Sequence, residues 1–454
     1  MYPHTRLIIS GKAFLLTLAT LSTALSANAT DLLAIYHAAQ GQDAVFAGAQ
    51  AAQRAGQEKL PQGRSSLLPS VSLKADSTYN DNSIQYQSIP PVTSNSQYNS
   101  HGYSVNLVQP LFRQQNWLSY TEAQLQVAQT DAQFKSAQQD LILRVAQAYF
   151  DVLMAQDSVQ LTQTQKTAIA EQLEQAKRNF EVGSATITDT HEAQARYDLV
   201  VSQEIAAQSN LQIKKSALQQ LTNTVPGPLQ ALNPQFKPET VQLPELAQLV
   251  DMEKWVDAAQ HSNLQLAVAQ AAAELADKEV ARNRGGHYPT LDIVASYSQS
   301  YGNTSSLGVR NDNLASSVGV QLNMPLYQGG ATNSKWREAQ ANRDRAQAEL
   351  ENIRRTIALQ TRQAYLGVVN GIAQVQALQQ AMTSGQSLLE ASKLGQEVGV
   401  RTNLDVLNAQ QQLYSTQRDL YQAEYNYLLS QLQLKAAIGT LAEADLVKVN
   451  QALH

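Results

Sequence analysis

The sequence predicts a mainly α chain with a smaller β part. One plan is written twice: two strands of a lipid-facing kind, then a very long helix and a shorter one. Three observations lead there. The two halves match at a nearly constant offset, each half holds a long proline-free stretch, and four segments ahead of those stretches alternate apolar and polar residues.

The internal repeat comes first. Ala38-Ala39-Gln40 falls on Ala258-Ala259-Gln260 and Pro69 on Pro289 at an offset of 220; Val105, Leu107 and Pro110 fall on Val320, Leu322 and Pro325 at 215. At 216, Gln147-Ala148-Tyr149 meets Gln363-Ala364-Tyr365 and Glu181-Val182-Gly183 meets Glu397-Val398-Gly399. Shared Ala and Gln content does not keep register over such distances, so a duplication is expected. The predicted division is a signal peptide at 1–29, a first repeat at 30–221, a linker at 222–251, a second repeat at 252–438 and a tail at 439–454.

The long helices follow from what is missing. Residues 111–225 and 326–454 contain no proline, and Arg113 to Val182 contains no glycine. Proline is the strongest helix breaker, so each stretch is free to run as one rod, reaching about 105 Å in the first half at 1.5 Å per residue. Leu141, Val145, Ala148, Val152, Ala155 and Val159 recur every three and four residues, matched by Ile357, Thr361, Ala364, Val368, Gly371 and Val375. Leu413, Leu420, Tyr427 and Leu434 continue that period after a break at Gly399. A seven-residue repeat with small residues at alternate positions is a coiled-coil seam. An ordinary bundle core is the alternative for any single stripe.

The strands are expected around Val71–Tyr79, Tyr103–Leu107, Leu291–Tyr297 and Val318–Met324, where apolar residues alternate with Ser, Lys, Asp, Asn, Gly and Gln. Such segments suit a barrel with lipid outside and water inside, and equally a soluble sandwich. The stretches Asn80–Ser100 and Gly302–Asn313, rich in Ser, Asn, Gly or Pro, are expected to be exposed loops. Four strands do not close a membrane barrel, which needs about eight, and an open edge does not survive in lipid. A trimer supplies twelve strands, with helices of the same symmetry continuing them as a tube.

Composition narrows the function. The chain has 454 residues, no cysteine and a formal net charge of -5. Disulfides, thiolate metal sites and cysteine nucleophiles are excluded. A mildly acidic chain with charges spread throughout is a poor candidate for general nucleic-acid binding, which needs a basic face. The first 29 residues read as a secretory signal, with Arg6 and Lys12 before the apolar run Ala13–Leu25 and Ala27-Asn28-Ala29 as the cleavage site. A single membrane anchor is the other reading of that run. Cleavage takes two of the 33 basic residues and none of the 38 acidic ones, moving the charge from -5 to -7. The seven histidines are scattered, with no His-Glu-x-x-His pair, phosphate loop or nucleophile elbow, so no catalytic, cofactor or metal residues are expected.

Three segments then resemble the TolC family of outer-membrane efflux and type I secretion channels. They are Arg64-Ser-Ser-Leu-Leu-Pro-Ser-Val71, Lys177-Arg-Asn-Phe-Glu-Val-Gly-Ser-Ala-Thr-Ile-Thr-Asp189 and Glu397-Val-Gly-Val-Arg-Thr-Asn-Leu-Asp-Val-Leu-Asn-Ala-Gln410. The resemblance runs through nearly the whole mature chain. It implies a homotrimer with a twelve-stranded outer-membrane β-barrel, continued by a twelve-helix periplasmic α-barrel, with the Pro-rich linker and the tail in a girdle around it. The implied partners are a periplasmic adaptor of the membrane-fusion type, an inner-membrane RND or ABC transporter and outer-membrane lipid. The long C-terminal extension of some relatives is not expected after His454.

The polar residues of interest lie at the two helix-turn-helix corners. Gly183 and Gly399 each follow Glu-Val at a rod's end, as a left-handed cap requires, and the next helices are expected to begin near Thr188-Asp189 and Asn403-Leu404-Asp405. Helix capping is one reading of Asp189. The resemblance implies another: these corners form the periplasmic gate, with Thr188 and Asp189 meeting Arg401 of a neighbour and Asp405 forming a ring of three carboxylates. Gln396 stands where the best-known members have Tyr, so one closing hydrogen bond is expected to differ in reach; Asn408 stands where they have a second Asp ring, so weaker cation block is expected. A structural or adhesive coiled-coil envelope protein and an enzyme or periplasmic binding protein are the competing classes; the first predicts no conductance and the second needs a compact ligand pocket.

Overall fold

The computed structural model describes residues 30–233, 236–238, 251–302 and 310–453. The expected signal peptide and much of the linker lie outside them. Helices α1 (Leu32–Gln42), α2 (Ala44–Gln57) and α3 (Lys59–Ser65) precede strands β1 (Ser70–Tyr86) and β2 (Val92–Phe112), then helices α4 (Gln114–Glu181) and α5 (Ile187–Thr222). The order recurs with α6 (Met252–Ser262), α7 (Leu264–Arg284), β3 (Thr290–Gly302), β4 (Asn311–Asn323), α8 (Ala331–Glu397) and α9 (Asn403–Ala437), before a short α10 (Glu443–Asn450).

The duplication extends to the caps. Asp31 and Asp251 cap α1 and α6, and Asp43 and Asn263 cap α2 and α7, each pair separated by the same 220 residues as the repeat. A side-chain oxygen at each site accepts from backbone N–H groups that the first helical turn leaves unpaired. The cap at Asn263 also ties α7 to the end of α9 within the second half, because its Nδ2 donates to the carbonyl of Ala437 at 2.8 Å.

Helices α4 and α8 run unbroken for 68 and 67 residues, close to the expected rod. In the seam Leu141, Val145, Val152 and Ala155 are buried, as are Ile357, Thr361, Val368 and Val375 in the second half. Thr361 tolerates burial because its hydroxyl donates to the carbonyl of Ile357 at 2.8 Å. The largest core sits midway along the rods, where α1, α6 and α10 wrap them and Tyr149, Trp255, Tyr427 and Leu428 are fully buried. Tyr149 Oη donates there to the carbonyls of Gln230 and Thr30 at 2.9 and 3.2 Å.

The four strands form one antiparallel sheet in the order β1-β2-β3-β4. Its register sorts residues by face. Val71, Leu107, Ala295 and Val318 pair across the sheet as one apolar rung, and the next rung is Ser72, Asn106, Ser296 and Ser317. The hydroxyls of Ser296 and Ser317 lie 2.9 Å apart. One face is therefore greasy and the other wet, while β1 and β4 leave their outer edges unpaired. Among the described residues no helix is long and apolar enough to cross a membrane.

The expected loops are corrected at this point. Asn80–Ser100 is mostly strand: β1 continues to Tyr86 and β2 starts at Val92. Likewise β3 reaches Gly302 and β4 begins at Asn311, with 303–309 outside the described residues. Polar side chains in register carry the ladder on, as in Ser83 Oγ donating to Asn95 Oδ1 at 2.7 Å and Gln97 Nε2 donating to Asp81 Oδ2 at 3.1 Å. Apolar alternation marks only part of each strand's length. At 17 residues β1 is longer than the roughly 9–11 that suffice to cross hydrocarbon. At the other end Arg113 holds the buried Asp292 through Nε at 2.8 Å and Nη2 at 2.6 Å, fixing the start of α4 against β3.

Gly439 closes α9 in the left-handed region at φ 78°, where an added Cβ meets the Ser262 carbonyl oxygen at 2.2 Å. Gly183, at φ 75°, has nothing within 4 Å. Gly439→Ala is therefore expected to destabilise far more than Gly183→Ala, which costs only about 1–2 kcal/mol of left-handed strain. Thermal unfolding of the two variants side by side checks this ordering; equal shifts contradict it.

Candidate functional site at the hairpin tips

Helices α4 and α5 form one hairpin and α8 and α9 the other, and both turn in the same way. Ser184 N donates to the Asn179 carbonyl and Val400 N to the Gly395 carbonyl, each at 2.8 Å. These bonds reach back five residues and close a Schellman cap, which requires the left-handed residue that Gly183 and Gly399 supply at φ 75° and 80°. The outgoing helices begin with capping boxes. Thr186 Oγ1 accepts from Asp189 N, and the Asp189 carboxylate accepts in turn from Thr186 N at 2.9 Å. Thr402 and Asp405 repeat the arrangement, again with a 2.9 Å bond from Thr402 N. The expected start of α9 is met at Asn403, whereas α5 starts at Ile187, one residue before the expected Thr188. The signal for that boundary is Thr-x-x-Asp spacing, where hydroxyl and carboxylate satisfy each other's backbone.

Each predicted residue lies at or just above these tips. Thr188 is exposed on the first turn of α5. Asp189 and Asp405 serve as capping carboxylates. Arg401 lies against Gly395, where an added Cβ meets its Cγ at 2.6 Å, and its Nη1 is 3.9 Å from Asp405 Oδ1. Within one chain no hydrogen bond or ion pair among the described residues joins Arg401 to Asp189. Gln396 Nε2 donates across the turn to Asn403 Oδ1 at a long 3.4 Å. Asn408 is exposed on α9, and its Oδ1 accepts from Arg196 Nη2 at 3.0 Å. Arg196 Nη1 donates also to Gln411 Oε1. Sequence reading misses Arg196 and Gln411, since no local spacing relates residues more than two hundred positions apart.

Beneath this contact Ile169, Val200 and Leu407 form a small buried cluster with Tyr197 packed on it. Toward the middle of the rods the hairpins part around a cavity of about 440 Å³ and meet again where Tyr425 Oη donates to Asp157 Oδ2 at 2.6 Å. Burial pushes the Asp157 carboxyl up from its ordinary value, against the lowering effect of that bond. Asp405 is shifted the other way, held below the carboxylate range by the Thr402 backbone N–H and hydroxyl and by Arg401. Among the described residues no group of His, Asp or Glu is placed to hold a metal ion.

The family described as outer membrane efflux protein matches residues 35–224 and 255–440, one match for each half of the duplicated fold. This chain belongs to that family, and its place is the outer membrane of a Gram-negative bacterium. It is 36% identical to the outer membrane protein TolC of Vibrio cholerae, over 96% of each chain. To the Escherichia coli protein of the same name it is 35% identical, over 94% of this chain and 85% of that one. The proteases secretion protein PrtF of Dickeya chrysanthemi is 31% identical over 96% of this chain and 94% of its own length. In fold it resembles the CmeC outer membrane channel of Campylobacter jejuni, with TM-score 0.77 at 16% identity, covering 99% of this chain and 97% of that one. VceC of Vibrio cholerae gives 0.75 at 19%, covering 90% and 96%.

The lowered Asp405 carboxyl fixes a pH response. A carboxylate held low in the folded tip adds stability that is present above its unfolded value, about 3.9, and is lost as pH falls through the lowered one. Hydrogen exchange in the first turn of α9, corrected for intrinsic rate, should stay level from about pH 5 to 8 and rise only below about 4. Thr402→Ala should raise it throughout; fraying that begins near pH 6 contradicts the cap.

Proposed function

We propose that three copies of this chain close a twelve-stranded barrel in the outer membrane and a twelve-helix tube below it, making a passive exit duct. The observation that carries this is the sheet. It has one apolar face, one polar face and two unpaired edges, and lipid tolerates no unpaired edge. Copies joining β1 to β4 remove every edge and put the polar rungs inside, so water fills the pore.

In this reading the repeats 30–221 and 252–438 each give two strands and two helices to the wall, while the linker 222–251 and tail 439–454 belong to the girdle. The hairpin tips form the gate: Thr188 and Asp189 meet Arg401 of a neighbouring copy, and Asp405 rings the constriction. Both acids keep one carboxylate oxygen on the cap, so each can serve as cap and latch at once. A periplasmic adaptor biases the mouth toward open, and an inner-membrane RND or ABC transporter supplies the energy. The family description speaks for efflux, and the protease-secretion relative for type I protein export.

Purified trimers in planar bilayers test the gate. Arg401→Ala and Asp189→Ala should raise mean conductance several-fold with trimer content unchanged. Loss of trimer at unchanged conductance assigns these residues to assembly instead. Deleting the gene and scoring drug susceptibility beside protein secretion separates the two cargo classes.

A further inference from the structure

We infer that Arg196 is an intra-protomer latch, holding the α4/α5 hairpin to the α8/α9 hairpin and countering charge at the pore level of Asn408. The inference rests on the duct reading and deepens it. Arg196 lies ten residues past the Thr186 cap, about 15 Å up α5. Asn408 and Gln411 are three apart on α9, so their side chains share a face, and a planar guanidinium reaches two such oxygens together.

Position makes this contact matter. Among the described residues Arg196 makes the only side-chain hydrogen bonds between the two hairpins on the tip side of the Asp157–Tyr425 bond. From Asp157 to Glu181, α4 extends about 36 Å. If the hairpins swing about their upper contact, displacement is greatest near the tips, so a bond there controls opening with most leverage. The Ile169, Val200 and Leu407 cluster beside it gives close packing but no directionality. The polar fork sets which turn of α5 faces which turn of α9.

The chemistry of the acceptors matters too. Both are neutral amides, so this link does not titrate, unlike the Asp405 cap. A carboxylate introduced at 408 faces a guanidinium already in place. Asn408→Asp alone should therefore strengthen the latch and add little to cation block, because Arg196 offsets its charge.

The test uses full-length trimers in planar bilayers with a trivalent cation, plus hydrogen exchange over residues 193–200 and 405–411. Arg196→Gln should raise the open population about tenfold and speed exchange in both segments, with Arg196→Lys intermediate. Asn408→Asp should lower the open population below that of the unmodified chain, a direction that damage to the fold does not produce. Strong trivalent block should appear only when Asn408→Asp is combined with Arg196→Gln. A conducting protein in which Arg196→Gln changes neither openness nor exchange overturns the latch, as does strong block from Asn408→Asp alone. Faster exchange in Arg196→Gln with no conductance in any variant keeps the bond between hairpins and overturns the duct.

Discussion

An unpaired strand edge cannot be left in hydrocarbon, where no water satisfies its N–H and C=O groups. This sheet has two such edges, on β1 and β4, and a register that sorts apolar and polar residues onto opposite faces. Most other features follow from meeting that constraint with four strands per copy. The internal repeat puts two strands in each half, and the β2–β3 pairing joins the halves in the sheet. Each strand pair then feeds a long helix, so sheet and helices are continuous within each half.

The helices carry a different burden. Rods of 68 and 67 residues cannot be buried along their whole length by one chain, and the core is concentrated where α1, α6 and α10 wrap them. Below that level packing thins to two small clusters around Ile169 and Leu173. Weak packing at the tips suits the gate proposed there, since regions that open are drawn from the low-stability end of a structure. Rigid turns and loose arms are combined: Gly183, Gly399 and the two capping boxes fix each corner, while few contacts fix the corners to each other.

Much of this was legible in the sequence because it is written in local spacing. Proline-free stretches gave the rods, three-and-four spacing gave the seams, and Glu-Val-Gly gave both corners. The strand ends run past the apolar alternation because polar residues such as Ser83, Asn95 and Gln97 extend a ladder as well as apolar ones once they pair across it. The start of α5 falls at Ile187, next to the expected Thr188-Asp189, because the Thr186-x-x-Asp189 pair sets the cap. Arg196 was missed for another reason: its partners lie on the other hairpin, and only the fold brings Asn408 and Gln411 to it.

Closure by copies of the same chain is most directly measured as the mass of the native particle. Native mass spectrometry of the membrane-extracted protein, released from detergent or a lipid disc, should give three chains, with monomers appearing only on denaturation. A water-soluble monomer, stable without any amphiphile, contradicts closure and with it the duct.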